Sequence, residues 1–551
     1  MTRRRTAIYT RNQTTQNARR RTTKVTRVRR PVSRQVVSVR KAKTVAKPNE
    51  KLASSLEVLR KVQDETGPVV KSSQVSRVHR ERLQKAGYLT DIANGWLITT
   101  RPQDRAGDST FWYVSFWEFC KRYCEDRFGS DWCLSPEHSL VMHAESTTIP
   151  RQVIVWSPTG SRNNKDLPFE TSLYDHQTEL PAPADRAEIN GVRLIGKELA
   201  LCKVTEAFFQ THAPEVQITL NGLASVTPLL TRLLDGGHVN ASGRIAGALR
   251  KMGRDKDADL ILKKMGDAGY DVREKDPFGV VALAPRIANG TSPLVMRILQ
   301  IWEKERDGII DRFPKPSPLP RDPATYLAAV DEIYVNDAYN SLSIEGYRVT
   351  PELIDKIRAG AFDPEGNPED REDRNALAAS GYWQAFQSVR RSIESVLAGQ
   401  NAGEVAQADH DDWYSALFQP SVDAGILKAG VLAGYRSHPV YLRGSRHTPP
   451  RSEAVLDGIE ALFDRLRDEP SPAVKAVMGH WLLGYVHPYP DGNGRMARFL
   501  MNVMLASGGY PWTIIRLEDR SSYMVALEVA STTTDLRPFA DFVATAMARG
   551  V

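Results

Sequence analysis

The chain has 551 residues, of which 41% are hydrophobic, and it carries 74 Lys+Arg against 66 Asp+Glu, for a net charge of +8. This length favours about three or four domains, and the hydrophobic content excludes a wholly disordered chain. No apolar run approaches the roughly 18 residues of a membrane helix, and no apolar segment follows the basic N-terminus, so we expect neither a membrane-spanning protein nor a secretory signal. The four cysteines lack zinc-site spacing, and we expect reduced thiols in a cytoplasmic protein; they are Cys120, Cys124, Cys133 and Cys202.

The positive charge is concentrated at the N-terminus. Residues 1–50 contain 16 Lys and Arg residues and one acid, Glu50, so this segment carries nearly +15 and the rest of the chain is mildly acidic. Because it has little apolar content, we expect the segment to be a disordered basic arm. Such an arm is typical of proteins that neutralise nucleic-acid phosphates, although a solvated extension or an organelle transit peptide has a similar composition.

Residues 51–105 have the pattern of a winged helix-turn-helix. A first apolar helical stripe ends at Gly67-Pro68, a basic helical stripe follows, and two short strands at 87–89 and 95–98 are joined by a polar turn. This order would place the second helix in the major groove of DNA. A helical hairpin with a solvated basic face, or a protein-contact module, has the same pattern. The candidate DNA-binding residues are Arg77, Arg80, Arg82 and Lys85.

Residues 111–315 predict a mixed α/β domain without a catalytic signature. An aromatic stretch at 111–119 indicates a packed core element, 153–156 a strand, and 199–209 and 242–265 helical regions. Residues 55–270 resemble the abortive-infection type of antitoxin and transcriptional regulator in element order and in the segment 134–140. We expect His138 and His143 to be structural, because no Cys or acidic partner lies at metal-ligand spacing.

The chemistry is concentrated in residues 487–498, a loop between two apolar helical stripes, with the sequence His-Pro-Tyr-Pro-Asp-Gly-Asn-Gly-Arg-Met-Ala-Arg. Two glycines allow backbone N–H groups to approach an anion, and the start of the second helix favours phosphate. Two arginines three residues apart project toward the same anion. The aspartate is a suitable oxygen ligand for Mg²⁺, and the histidine can take a proton near neutral pH. These features predict a nucleotide-phosphate site with a general base.

This string resembles the signature of Fic domains, His-x-Phe-x-(Asp/Glu)-Gly-Asn-Gly-Arg-x-x-Arg, with Tyr489 in place of the usual Phe. The resemblance covers 320–548 and implies a mainly helical fold that transfers AMP from ATP to a hydroxyl side chain of a target protein. It implies that His487 is the base and that Asp491 holds Mg²⁺. The implied phosphate contacts are Gly492, Asn493, Gly494, Arg495 and Arg498. We expect Tyr489 to replace Phe if its hydroxyl finds a partner.

Two further segments resemble parts of that family. The stretch 434–444 resembles the flap, a hairpin whose open edge pairs with an extended segment of the target; its candidate contacts are Arg436, Val440 and Leu442. Tyr523, in a segment that resembles the helix at the adenine side, is a candidate base contact, with an ordinary core tyrosine as the alternative.

Residues 341–346 match the Fic inhibitory pattern Ser/Thr-x-x-x-Glu-(Gly/Asn) through Ser341, Glu345 and Gly346. The preceding apolar stripe predicts a helix that ends here, with Gly346 just beyond its end. We expect Glu345 to form a bidentate pair with Arg498, which would occupy the arginine needed by the γ-phosphate of ATP. A helix cap without regulatory weight is the alternative.

The sequence therefore predicts a multi-domain protein with a basic arm, a winged helix, an antitoxin-like α/β domain and a C-terminal Fic domain. The predicted function is self-inhibited AMP transfer to Ser, Thr or Tyr, coupled to DNA binding. The alternatives are a DNA-binding regulator in which the Fic domain senses nucleotides, and an enzyme that removes AMP. The pattern assigns no oligomeric state and no membrane partner.

Overall fold

The computed structural model describes residues 48–102, 108–279, 291–315, 322–362 and 373–549, which are mainly helical. The chain divides into two compact units, 1–53 and 54–551. Of the first unit only 48–53, the beginning of helix α1 (Pro48–Thr66), is described. The predicted basic arm at 1–50 therefore lies almost wholly outside the described residues. Within the described ranges, no helix is both long enough and apolar enough to cross a bilayer.

Residues 54–99 form a small helical unit with an antiparallel sheet. After α1 come β1 (Val69–Lys71), a 3₁₀ turn at 72–74, α2 (Arg77–Lys85), β2 (Leu89–Ala93) and β3 (Trp96–Thr99), with the strand order β1-β3-β2. The sequence predicts the second helix and the hairpin but not β1, because three residues are too few to show alternation. The hairpin turn is tighter than predicted: Asp91 lies within β2, and Gly95 takes a φ of +83° in the turn.

Two of the four candidate DNA-binding side chains of α2 are used inside this unit. Arg82 Nη1 donates to Ser55 Oγ (2.7 Å) and Arg80 Nη1 donates to the carbonyl of Ser72 (3.1 Å). Arg77 is exposed but pairs with Glu81 (2.7 Å). The positive face that α2 can offer a phosphate backbone is therefore smaller than the sequence predicts.

The middle region contains a four-stranded mixed sheet, with the order β4-β5-β7-β6, covered by the aromatic helix α3 (Thr110–Phe128). The strands are β4 (Cys133–Leu134), β5 (Gln152–Ser157), β6 (Asn164–Leu167) and β7 (Thr171–Gln177), and a separate hairpin is formed by β8 (Arg186–Ile189) and β9 (Val192–Ile195). The predicted strand at 153–156 is confirmed as part of β5. The four cysteines are free and buried.

Both histidines of α4 (Pro136–His143) form hydrogen bonds to backbone carbonyl groups of other elements. His138 Nε2 lies 2.8 Å from the carbonyl of Gln152, and His143 Nε2 lies 2.8 Å from the carbonyl of Ile195. A carbonyl can only accept, so each Nε2 carries the hydrogen and the structural role predicted for these histidines is confirmed.

A helical layer follows the sheet. The predicted helical region 199–209 is divided into two short helices at Thr205, which caps the second one, and the region 242–265 is divided at Gly253, which has a φ of +72°. The helices are α5 (Lys197–Lys203), α6 (Glu206–Thr211), α7 (Ala213–Asn221), α8 (Thr227–Asp235), α9 (Val239–Lys251) and α10 (Asp255–Asp267).

The C-terminal region has one continuous apolar core, which begins earlier than residue 320. Leu294, Ile298, Ile301 and Trp302 of the first helix already belong to this core. The helices are α11 (Pro293–Ile310), α12 (Pro323–Ile344), α13 (Pro351–Arg358), α14 (Arg374–Leu397), α15 (Ala402–Asp423), α16 (Val455–Asp468), α17 (Pro472–Val486), α18 (Asn493–Ala506), α19 (Arg520–Thr533) and α20 (Arg537–Ala548). Helices α17 and α18 pack closely against each other, so the loop between them projects from a rigid pair.

Candidate active site

The loop from 487 to 492 is held by its own backbone geometry and by one asparagine. His487 has left-handed dihedral angles (φ 51°, ψ 59°), and Gly492 has a φ of +82° at the start of α18. The side chain of Asn493 accepts from Tyr489 N–H (3.0 Å) and donates to the carbonyl of Tyr489 (2.8 Å). The Asn493 side chain therefore braces the loop, and only its backbone remains for the phosphate contact that the sequence predicts.

His487 is in the form that a base requires. Its Nδ1 lies 3.3 Å from the carbonyl of Gly484, which can only accept, so Nδ1 carries the hydrogen and Nε2 has a free lone pair. Burial lowers the pKa of His487 to about 4, although Gly484, Glu345 and Asp491 act to raise it. The ring is consequently neutral at physiological pH.

Two buried guanidinium groups lie near the start of α18, and each has a donor that no other described residue uses. The Arg495 side chain is 1% exposed and is held between the rings of Phe418 and Tyr347, with its Cζ at 5.1 and 5.4 Å from their centroids. Among the described residues, neither Arg495 Nε nor Arg498 Nη1 has a hydrogen-bond partner. Buried donors without acceptors are costly, so this end of the helix is suited to an anion.

The carboxylate of Glu345 lies in this anion site. Glu345 Oε1 is 2.7 Å from Arg498 Nη2, and a Cβ placed on Gly494 would clash with the same oxygen. Burial alone would raise the pKa of Glu345, but Arg498 lowers it below its ordinary value, and the same pairing raises the pKa of Arg498. The residue pair predicted from the two motifs is therefore present.

The sequence predicted a bidentate pair, but the pair in the structure is not bidentate. A single carboxylate oxygen contacts Arg498, and the other guanidinium bonds go to Ser341: Arg498 Nε donates to Ser341 Oγ (2.8 Å) and Nη2 donates to the Ser341 carbonyl (3.1 Å). Glu345 is the C-cap residue that directly follows α12, and Gly346 comes next with a φ of +93°, as predicted for the residue after a helix end. Two contacts from Ser341 would keep Arg498 in place if Glu345 moved away.

Asp491 is the candidate metal ligand of the loop. Its side chain is 68% exposed, and its Oδ2 lies 3.5 Å from Arg495 Nη2. In the part of the chain that the structure describes, no three His, Cys, Asp or Glu side chains cluster as metal ligands. A single carboxylate beside a phosphate site fits Mg²⁺, which keeps several waters and takes further oxygens from phosphates.

Tyr489, the substitute for Phe, is buried as expected but its hydroxyl finds no partner. The ring stacks on Tyr414 with centroids 4.0 Å apart, and within the described ranges the Tyr489 hydroxyl makes no hydrogen bond. The sequence-based expectation required a partner for this hydroxyl, and the described residues provide none. The ring alone therefore anchors the loop.

The segment expected to be a flap hairpin contains no paired strands of its own. Residues 434–444 are irregular, and Val440 and Leu442 are half-buried. Arg436 is buried rather than available to a target: its Nε donates to the carbonyl of His487 (2.8 Å). The prediction that Arg436 contacts the target is therefore wrong, because this guanidinium already binds the loop that carries His487.

The middle region holds residues 446–448, which directly follow this segment. Ile149 N–H donates to the Arg446 carbonyl (2.9 Å) and Thr448 N–H donates to the Thr147 carbonyl (2.6 Å), forming an antiparallel bridge. Thr147 Oγ1 also lies 2.7 Å from the hydroxyl of Tyr485, two residues before His487. The sequence has no signal for this contact, because the partners are about 300 residues apart.

Tyr523 lies in the core. Its hydroxyl hydrogen-bonds His480 Nε2 (2.8 Å), and its ring packs against Phe542 with centroids 5.6 Å apart. The geometry favours the core-tyrosine alternative over an adenine contact.

Comparisons with known proteins agree with this site. Residues 407–505 match the sequence model of the Fic/DOC family, and this range includes the loop from His487 to Arg498, so the chain contains a Fic domain. Protein adenylyltransferase Fic of Nematostella vectensis is 40% identical over 255 residues, 45% of this chain and 55% of that protein. Protein adenylyltransferase fic-1 of Caenorhabditis briggsae is 31% identical over 193 residues, 33% of this chain and 37% of that protein. The matched regions thus cover about half of the length of these relatives, or less.

Among solved structures, Fic-1 from C. elegans is similar, with 20% identity over 61% of this chain and 85% of that chain and a TM-score of 0.33.

The unpartnered hydroxyl of Tyr489 generates a stability prediction. Tyr489→Phe should leave the free energy of unfolding unchanged or raise it by about 1–2 kcal/mol, because it removes a buried group without a hydrogen bond. The matched control is Tyr523→Phe, which should lower the free energy of unfolding by about 1 kcal/mol, because it breaks a buried hydrogen bond to His480. Urea denaturation of both variants measures the difference; a larger loss for Tyr489→Phe than for Tyr523→Phe would contradict this assignment.

Proposed function

We propose that this chain transfers AMP from ATP to a hydroxyl side chain of a target protein. The observation that carries the proposal is the loop from the neutral His487 to the start of α18, where two buried arginines each have a donor without a hydrogen-bond partner among the described residues. The relatives named protein adenylyltransferase support the same reaction. A domain that only senses nucleotides needs no base, so the neutral His487 favours an enzyme.

In this reaction the target oxygen attacks the α-phosphorus of ATP while His487 Nε2 accepts the hydroxyl proton. A bond forms between the target oxygen and the α-phosphorus, and the bond from that phosphorus to the bridging oxygen breaks, releasing diphosphate. The charge that develops on the diphosphate is neutralised by Arg495 and Arg498 and by backbone N–H groups at the start of α18. Bound Mg²⁺ would supply further charge neutralisation on the phosphates, with Asp491 as its protein ligand.

The target would approach through residues 440–442. Among the described residues, the backbone groups of Val440 and Tyr441 pair with no other backbone group, and Tyr441 is 44% exposed. An extended target segment could pair with this edge by strand addition, and the half-buried side chains of Val440 and Leu442 would line its path.

The resting enzyme would be inhibited by Glu345. Its carboxylate lies against Gly494 and on Arg498, where the γ-phosphate of ATP would have to be held. Two anions cannot share this space, so a productive ATP pose requires Glu345 to leave.

The proposed reaction is tested by incubating the protein with ATP labelled at either the α- or the γ-phosphate, in the presence of Mg²⁺. We expect label from the α-position, and not from the γ-position, to enter protein. His487→Ala should abolish this transfer while ATP binding persists, because the phosphate contacts come from other residues. Undiminished labelling by His487→Ala would contradict the role of the base.

Glu345 generates a second prediction. A charge-assisted pair contributes about 1.5–3 kcal/mol, so Glu345→Gly should raise the transfer rate by about tenfold to more than a hundredfold. Arg498→Ala should not raise the rate, because it removes the pair and a phosphate contact together. A rate that is unchanged or lower in Glu345→Gly would contradict self-inhibition; a loss of AMP removal in that variant would support the alternative in which Glu345 positions water.

DNA binding is a second proposed function, favoured by the charge of residues 1–50 and by the winged-helix order of 54–99. We propose that 54–99 is a winged helix and that the middle region is antitoxin-like. Because Arg80 and Arg82 are used internally and Arg77 pairs with Glu81, the exposed Lys85 is the α2 side chain best placed to contact phosphates.

DNA binding should weaken steeply with salt, with a slope of about −0.9 for each neutralised phosphate. Removing residues 1–47 should flatten this slope, and Lys85→Gln should reduce it by about one phosphate. Titrations of a labelled duplex at several salt concentrations measure the slopes. No binding by the intact chain at low salt would exclude this function.

A further inference from the structure

The Arg436 side chain makes four hydrogen bonds to backbone carbonyls around the loop that carries His487. Its guanidinium donates to the carbonyls of His487 (Nε, 2.8 Å), Val486 (Nη2, 3.2 Å), Pro450 (Nη2, 2.5 Å) and His438 (Nη1, 3.1 Å). Its backbone N–H donates to the carbonyl of Pro488 (2.8 Å). One residue thus holds three consecutive carbonyls of the segment 486–488, although it lies 51 positions before His487 in the chain.

These carbonyls need a donor because of the way α17 ends. The last carbonyls of a helix have no partner within the helix, and Pro488 has no N–H to offer. The proline also disfavours a helical conformation for the residue before it. His487 instead takes the left-handed conformation, which is strained for a residue other than glycine.

We propose that Arg436 is a positioning residue that fixes the backbone of His487 and thereby aims its imidazole at the target hydroxyl. The inference rests on the proposed AMP transfer, in which His487 is the base. The carbonyls of Val486 and His487 belong to the two peptide planes that flank the Cα of His487. Holding both planes fixes this Cα and with it the direction of the Cα–Cβ bond that carries the imidazole. The planar, multiply donating guanidinium suits this role, whereas an ammonium group cannot reach carbonyls in several directions at fixed angles.

Arg436 also acts on the imidazole through its charge. Burial has the largest effect and lowers the pKa of His487; Arg436 lowers it further, whereas the carbonyl of Gly484 and the carboxylates of Glu345 and Asp491 raise it. The ring of His447 is a further titratable group that interacts with His487. Loss of the Arg436 charge alone would therefore raise the pKa of His487.

The experiment compares Arg436→Gln, which removes the charge and most donors, with Arg436→Lys, which keeps the charge but not the geometry. The matched control is Arg443→Gln, seven positions along the same segment, where the side chain is 59% exposed and pairs with Asp108. The full-length chain is used in all cases. The readouts are AMP transfer at saturating ATP, ATP affinity, and titration of the His487 ring by NMR.

Arg436→Gln should lower kcat by about 10- to 100-fold, because the base is misplaced, while ATP affinity stays close to that of the wild type. It should also raise the pKa of His487. Arg436→Lys should lower kcat similarly with a smaller change in the titration, and Arg443→Gln should change neither. If Arg436→Gln does not fold, Arg436→Lys carries the test.

An unchanged kcat and an unchanged His487 titration in folded Arg436 variants would overturn the inference, even if their thermal stability falls. Should the wild-type chain prove not to transfer AMP, the proposed function fails. The NMR spectrum of the His487 ring would then still show whether its environment and titration depend on Arg436.

Discussion

The structure of the site depends on one ion pair, between Glu345 at the end of α12 and Arg498 on the second turn of α18. The Arg498 side chain is 5% exposed, so its charge is largely removed from water and needs an anion nearby. Glu345 supplies that anion from a position against Gly494, at a helix start that favours negative charge. The resting protein therefore places its own carboxylate where the proposed phosphate substrate would bind.

This arrangement limits how the pair can separate. Helix α12 is anchored in the C-terminal core by four apolar side chains, Tyr326, Val330, Tyr334 and Leu342. The carboxylate of Asp337 on the same helix accepts hydrogen bonds from Tyr382 (2.6 Å) and Trp512 (3.0 Å). Withdrawal of the whole helix would expose that core and break these buried bonds. A local movement of the Glu345 side chain at the helix end, where the backbone continues through Gly346, would neither expose the core nor break these buried bonds. Ser341 would still hold Arg498. We therefore expect release of the pair to be local.

The parts of this protein that could be predicted from sequence are those encoded by local patterns. The loop with His487 and the two arginines, and the Glu345 motif that meets them, are each contained in short segments whose spacing determines which groups face an anion. What could not be predicted depends on distant contacts. The assignment of Arg436 to target binding failed because its acceptors include the carbonyls of Val486 and His487, which lie 50 and 51 residues away in the chain. The sequence predicts that Tyr489 is buried in the core, but whether its hydroxyl has a hydrogen-bond partner depends on three-dimensional packing.

The central claim is that Glu345 competes with the γ-phosphate and not with the rest of the nucleotide. Its most direct test is calorimetric measurement of the affinities for ATP and ADP in the wild-type chain and in Glu345→Gly. The ratio of ATP affinity to ADP affinity should rise in the variant, while ADP affinity changes little, because ADP has no phosphate to place at Arg498. An equal gain for both nucleotides, or no gain for either, would contradict the claim.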